Sequence, residues 1–237
     1  MIDAVIFDWG GTLSIYADID LEDMWRMAAR HIAPEREAEL TARLVQVETD
    51  AWDRIRVDQH SFTLAQLLAA ASAELGVDVA AVVIEEASQH HLDAWTPHIR
   101  HDPDAVGVLR ALKERGIRVG LLSNTHWPRD FHEHFLERDG LAPYIDARLY
   151  TSELARSKPH PSVFEAAMAS VGLDDAGRGV FVGDRAYDDV WGAQQVGLKG
   201  VWRPNAMIPG SDDVEPAGVI ASLPELLALV DGWGASA

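Results

Sequence analysis

Four side chains able to carry charge or bind phosphate follow short apolar runs in this sequence. Asp8 closes the run Ala4-Val5-Ile6-Phe7, and Ser123 closes the run from Ile117 to Leu122. Lys158 lies in the loop after Ala147 to Tyr150, and Asp184 follows Gly179 to Val182 by way of Gly183. Two carboxylates and one ammonium around a hydroxyl suit a divalent cation and a phosphoryl group. Mg²⁺ takes carboxylate, water and substrate oxygens. An aspartate nucleophile can form an aspartyl-phosphate, and lysine with Mg²⁺ neutralises charge on the transferring group. Gly10 and Gly11 let the backbone turn directly after Asp8 and bring N–H groups close to an anion. Asp8 is therefore a candidate nucleophile or metal ligand beside a phosphate-sized hole. Taken alone, that stretch reads equally well as an ordinary strand-to-turn junction, since Asp and Gly favour turns. The partners from elsewhere in the chain favour the chemistry.

For these residues to meet, the apolar runs must lie side by side with their carboxyl ends together. Short continuous apolar runs bounded by turns read as buried parallel strands. Open α/β sheets bind ligands at the carboxyl edge of such strands. From about residue 104 onward, strands alternate with helices, which predicts a parallel sheet covered on both faces. The strands are about 3–7, 117–122, 147–150, 179–182 and a last one at 198–202. The helices are 104–115, 129–138, 161–171, 190–196 and a closing one at 223–230, with 232–237 frayed. Between the first two strands lies a block with no strand pattern. Asp20 caps its first helix, which runs to about His31. Pro34 opens the second, where Leu40, Leu44, Val47, Ala51 and Ile55 give one apolar face. Ser61 is expected to cap the third and Asp78 the fourth, which runs to about Asp93. Inserted there, the block lies over the carboxyl edge of the sheet.

Composition narrows the partners. The 237 residues suffice for one α/β domain, or for a core with a smaller inserted domain. Twenty basic against 38 acidic residues give a net charge of −18. That argues against nucleic acid and an anionic membrane surface as the main partner, but not against a small anionic substrate at a locally positive site. There is no cysteine, hence no disulfide or thiol chemistry. The first residues lack a basic leader region, and no apolar run approaches the roughly 20 residues needed to span a bilayer. A cytoplasmic protein is the default expectation.

Four segments in order resemble the signature of the haloacid dehalogenase-like (HAD) superfamily of hydrolases, over nearly the whole chain. They are Phe7-Asp8-Trp9-Gly10-Gly11-Thr12-Leu13, Leu121-Leu122-Ser123-Asn124, Ser157-Lys158-Pro159-His160-Pro161, and Val182-Gly183-Asp184 followed by Asp188-Asp189-Val190. The resemblance implies an α/β fold with a Rossmann-like three-layer core at 1–13 and 96–237 and a helical cap at 14–95. It implies Mg²⁺ as cofactor and a small phosphorylated molecule as substrate. Asp8 would attack phosphorus. Gly11, Thr12 and Ser123 would hold phosphoryl oxygens, with Asn124 shaping the same loop. Lys158 would stabilise both the nucleophile and the transferred group. Asp8, the Gly10 carbonyl and Asp184 would bind the metal. Asp189 aligns best with the family's second acid of the fourth segment, acting on the metal directly or through water, with Asp188 as the alternative.

Gly10 departs from the pattern. Phosphatases of this family carry there a second aspartate that protonates the leaving oxygen and later activates water. Glycine does neither, and general acid–base catalysis is worth roughly 10²–10⁴-fold. Three readings follow. One is a phosphohydrolase whose leaving group needs no acid, or whose cap supplies one. A second is a 2-haloacid dehalogenase-type hydrolase, a branch that also lacks the second aspartate but does not need Mg²⁺; the intact Gly183-Asp184 with Asp188 and Asp189 argues against it. A third is a catalytically weakened protein that binds a phosphorylated ligand. A phosphonate-cleaving enzyme with a cap Schiff-base lysine is excluded, because Lys113, Lys158 and Lys199 are the only lysines and none lies in the cap.

Other candidates have plainer readings. His31, His60, His90, His91, His98 and His101 lack the spacing of a transition-metal site and read as solvated or linker residues, one of which could replace the missing acid. Arg30, Arg54 and Arg56 could reach a substrate anion from the cap. His126 and Trp127 should line the site entrance, Trp9 should do the same or pack into the core, and Trp25, Trp52 and Trp95 should hold the cap helices together.

Overall fold

The alternation of β1 (Ala4–Phe7) is the key to the layering. Its four residues are all buried, with Val5 and Phe7 in one apolar cluster and Ala4 and Ile6 in another. Successive side chains of a strand point to opposite faces, so a strand buried on both sides must be central. The computed structural model describes residues 1–208 and 213–235. In it β1 pairs in parallel with β2 (Arg118–Ser123) and β4 (Gly179–Gly183). With β3 (Ala147–Tyr150), β5 (Lys199–Trp202) and β6 (Gly218–Val219), the sheet has six strands in the order β3-β2-β1-β4-β5-β6, all parallel. A Rossmann-like three-layer α/β core results.

Four helices separate β1 from β2: α1 (Leu21–Ile32), α2 (Glu37–Asp58), α3 (Leu64–Glu74) and α4 (Ala81–Trp95). They form the helical cap. Then come α5 (Ala105–Glu114), α6 (Arg129–Arg138), α7 (Pro161–Ser170), α8 (Gly192–Gln195) and α9 (Glu225–Ala235). Val108 and Leu112 of α5, Phe135 of α6 and Leu226 of α9 pack on the Val5/Phe7 face. Val163 and Phe164 of α7 and Ala193 of α8 cover the other. Trp25, Leu44 and Leu67 of the cap belong to the same apolar cluster as the α5 face, so cap and core share a buried interior.

Several expectations need correction. Thr63, not Ser61, caps α3, in a capping box with Gln66; Ser61 instead meets Ser157 Oγ at 3.1 Å. Ala80, without a side-chain cap, precedes α4 in place of Asp78. The strand at 199–202 is not the last, because β6 follows it. The segment expected to turn helical at Val190 begins as a π-turn at Ala186–Trp191. The closing helix runs on through Gly232 to Ala235 rather than fraying, while residues 236 and 237 lie outside the described residues. Among the described residues, no helix is long and apolar enough to cross a membrane.

Candidate active site

The register of the sheet sets the first contacts. Phe7 is level with Leu121 and Val182, so Asp8 leaves the sheet between β2 and β4, its N–H donating to the Val182 carbonyl at 2.8 Å. Ser123 ends β2, and Asp184 lies one residue beyond β4. The strand order reverses between β1 and β4, the place where an open α/β sheet leaves a crevice. Carboxylate oxygens of Asp8, Asp184 and Asp189 lie there within 4.8 Å of one another, all three residues buried. The Lys158 ammonium bridges two of them, at 2.7 Å from Asp8 Oδ1 and 2.6 Å from Asp189 Oδ1.

Three carboxylates face one ammonium, and the imbalance falls on Asp184. Both its carboxylate oxygens are buried with no hydrogen-bond partner. Burial, then the charges of Asp8 and Asp189, push its pKa upward. Burial also raises Asp8, against the pull of Lys158. For Lys158, burial opposes the charge, but Asp189 and Asp8 outweigh it and hold the ammonium above its ordinary pKa. Unpaired buried carboxylates are costly. A hard divalent cation with an all-oxygen donor set relieves that cost, so the residues present fit such an ion. The Thr12 hydroxyl is also buried without a partner. Gly11 has to be glycine: its φ is +76°, and a Cβ there would collide with the Asp184 carboxylate and the Tyr16 ring.

Hydrogen bonds hold these parts in place. The Asn124 side chain donates to the Lys158 carbonyl at 3.0 Å and accepts from the Lys158 N–H at 2.9 Å. It thus ties the loop after β2 to the loop that carries the lysine. Trp202 Nε1 donates to the Asp184 carbonyl at 2.9 Å, and the Arg203 guanidinium donates to the Thr12 carbonyl. The Arg185 N–H donates to Asp189 Oδ2 at 2.9 Å.

A cavity of about 580 Å³ opens over Asp8 and reaches the cap. Asp8, Gly10, Ser123, Asn124 and Lys158 line it; Gly11, Thr12, Asp184 and Asp189 are not among its lining residues. Asp188 lines the cavity and lies outside the three-carboxylate cluster, 4.0 Å from Arg185. His126 and Trp127 line its interior, both buried. Trp9 does two jobs, lining the cavity while its Nε1 donates to His101 Nε2 at 3.0 Å. Trp25 of α1 donates to Glu48 of α2 at 2.8 Å and stacks on His91 of α4 at 3.8 Å. Trp52 packs edge-on against Phe62, and Trp95 reaches Trp127 of the core. His91 and His101 are therefore not solvated: His91 is 1% exposed, and His101 bonds both Trp9 and Asp139. Arg30 pairs with Glu37, whereas Arg56 lines the cavity.

Three residues escaped the sequence reading. Tyr16 and Arg185 line the cavity beside Asp8, and Glu48 is buried beneath the cap tryptophans. Only Arg185 carried a signal, its place directly after Asp184; Tyr16 and Glu48 come close through the path of the chain.

A buried cluster of carboxylates and a lysine at the switch point of a parallel α/β sheet, under a helical lid, defines a class of group-transfer site. The model of the haloacid dehalogenase-like hydrolases matches residues 2–197, cap included. The chain belongs to that family. It is 32% identical over 106 residues to a glyceraldehyde 3-phosphate phosphatase of Pyrococcus abyssi, covering 44% of this chain and 43% of that one. The chain spans about half the length of the curated relatives it matches. Among solved structures it is similar to a 2-haloacid dehalogenase from Pseudomonas syringae, with TM-score 0.73, 25% identity and coverage of 98% of this chain and 100% of that one. A HAD phosphatase from Thermococcus onnurineus shares the fold at TM-score 0.69 and 21% identity, covering 98% and 99%.

Proposed function

We propose that the protein is a Mg²⁺-dependent phosphohydrolase of small phosphorylated metabolites, working through an aspartyl-phosphate on Asp8. The observation that carries this reading is Asp184, a buried carboxylate with both oxygens unpartnered beside Asp8, Asp189 and Lys158. Asp8, the Gly10 carbonyl, Asp184 and Asp189 would hold Mg²⁺, which when bound neutralises the carboxylates and charge on the phosphoryl oxygens. An Asp8 oxygen attacks phosphorus. The ester P–O bond breaks, and its electron pair leaves with the substrate oxygen. Water then attacks the phosphorus of the aspartyl-phosphate, releasing inorganic phosphate and restoring Asp8. Lys158 orients the Asp8 carboxylate before attack and neutralises charge on the transferred group. Gly11, Thr12 and Ser123 bind its oxygens, and Asn124 keeps the lysine loop in register. Residues 14–95 act as the cap that covers the substrate, against a core of 1–13 and 96–237. The cavity of about 580 Å³ suits a metabolite of modest size.

Gly10 favours a second reading. A halide departs without a proton, so a dehalogenase loses nothing by lacking an acid there, and the similar Pseudomonas structure is a 2-haloacid dehalogenase. The crowding of carboxylates around Asp184 weighs against it, because an enzyme that works without a cation has no use for that charge.

A screen of phosphate monoesters and 2-haloacids, with and without Mg²⁺, tests the proposal. Phosphate release that EDTA abolishes and Asp8→Asn reduces to background is expected, with the variant still folded. Halide release that survives EDTA would support the second reading. Saturable, Mg²⁺-linked binding of a phosphate analogue with no turnover would leave a ligand-binding protein.

A further inference from the structure

Gly10 is not glycine for the sake of the backbone. It is absent from the positive-φ glycines of the chain. A Cβ built on it meets one heavy atom within 4 Å, the Tyr16 hydroxyl oxygen at 3.7 Å. That separation is ordinary contact, so a methyl group fits. A carboxyl group carried on that Cβ would have the phenol hydroxyl as its neighbour. The hydroxyl of Tyr16 is thus the side-chain polar group next to the place of the family's second acid.

We propose that Tyr16 stands in the place of the absent acid and donates a hydrogen bond from its hydroxyl to the leaving oxygen of the phosphate ester attacked by Asp8. This rests on the phosphohydrolase reading above. Tyr16 lines the same cavity as Asp8 and Gly10. The Arg185 guanidinium lies against the phenol oxygen. Arginine only donates, so it does not compete for the phenol proton. An ordinary phenol keeps its proton at neutral pH, so Tyr16 is a donor there. The backbone just before it is tied down, with Ser14 N–H donating to the Trp9 carbonyl at 2.8 Å and Ile15 N–H to the Arg100 carbonyl at 2.9 Å.

In this account Tyr16 keeps its proton. As the P–O bond breaks, the leaving oxygen takes the electron pair, Tyr16 stabilises the developing charge, and the proton that completes the alcohol comes from water. The substrates favoured are those whose leaving oxygen bears negative charge well: aryl, enol and acyl phosphates over simple alkyl phosphates. Tyr16 then matters most where the leaving group is poorest.

The test is kcat/KM across a series of substituted phenyl phosphates and one alkyl phosphate, in saturating Mg²⁺, for wild type and Tyr16→Phe. The expected result is a steeper dependence on leaving-group pKa in the variant. It should lose roughly 10- to 100-fold on the poorest leaving group, as when a donor to a developing oxyanion is removed, and less than about threefold on the best. The double variant Gly10→Asp/Tyr16→Ala should recover the poor substrates by seating a carboxylic acid in the freed room. A uniform loss across the series, or equal slopes, with wild-type melting behaviour, would make Tyr16 a packing residue and overturn this inference alone. Wild-type protein that hydrolyses none of the series would overturn it together with the proposed function.

Discussion

Asp184 is a buried carboxyl group with no hydrogen-bond partner, and burial with the charges of Asp8 and Asp189 pushes its pKa up to about 8, so ionising it costs the metal-free fold. Replacing it with asparagine removes the charge and keeps the shape. Asp184→Asn is expected to raise the melting temperature of the metal-free protein by a few degrees, corresponding to about 1–3 kcal/mol. It should also abolish the upward shift that Mg²⁺ gives the wild type. Thermal unfolding with Mg²⁺ or EDTA reads both. A variant that melts lower than wild type without metal and still responds to Mg²⁺ would show that Asp184 is paired by other means. His132 offers a test of opposite sign. It is fully buried on α6, with Nε2 at 3.0 Å from Thr125 Oγ1 and its ring stacked on Tyr150. Burial, then the charges of His126, His101 and Arg129, push its pKa down to about 3. The unfolded chain therefore takes up this proton first as pH falls. The contribution of neutral His132 is complete above about pH 6.5 and is lost below it. Relative to His132→Phe, the wild type should lose about 1.4 kcal/mol per pH unit below pH 6 in denaturant titrations. A difference between the two that does not change from pH 7 to pH 4 would contradict a buried neutral imidazole.

At the level of elements, the cap meets the core through its loops as well as its apolar face. Ser157 N–H donates to the Gln59 carbonyl at 2.9 Å, Ser61 N–H to the Ala155 carbonyl at 3.3 Å, and Leu64 N–H to the His126 carbonyl at 2.8 Å. The segment between α2 and α3 is thereby joined to the stretch leading into Lys158. This pairing explains why Ser61 does not cap α3. Two capping residue types stand at 61 and 63, and tertiary contacts, not local propensity, assign the role to Thr63. Thr63→Ala should cost about 1 kcal/mol of stability and Ser61→Ala no more than about 0.5 kcal/mol, measured by urea unfolding. The reverse order would restore Ser61 as the cap. Asp20 was legible because it stands directly before α1 with acidic residues in the first turn, and its side chain accepts from the Glu22 N–H. Strand β6 was not, since two residues, Gly218 and Val219, carry no periodicity. The helical run of α9 across Gly232 and Gly234 goes against propensity. Arg115 holds Asp231 through Nε and one terminal guanidinium nitrogen, at 3.0 and 3.1 Å, and burial of Leu226 and Val230 against the core outweighs the local preference.

Across the whole molecule, the residues legible in the sequence are those attached to strand ends. Asp8, Ser123 and Asp184 each follow a buried run, and a parallel sheet brings such ends together whatever the loops do. Lys158 was legible from its loop after the third strand, Asp189 only through its place in an ordered signature, and the structure brings both within 2.7 Å of a partner in the cluster. Tyr16, Arg185 and Glu48 were not legible as a group, because their nearness to the site depends on how the linker and cap fold back over the sheet. The net charge of −18 likewise says nothing of the site, where Lys158, Arg56 and Arg185 line one cavity.

The missing side chain at Gly10 has a kinetic consequence for the complete cycle. No carboxylate stands there to activate the water that hydrolyses the aspartyl-phosphate, so this second step should be slow relative to the first. Rapid mixing with an aryl phosphate should give a burst of phenol approaching one equivalent per site before a slower steady rate; a linear time course from the first turnover would place the slow step earlier. The most direct test is to quench that burst in acid and locate the phosphoryl group by peptide mass spectrometry. Phosphate is expected on the peptide containing Asp8, present with Mg²⁺ and absent with EDTA and in Asp8→Asn. Turnover with no phosphate on Asp8, or with the label on another residue, would contradict it.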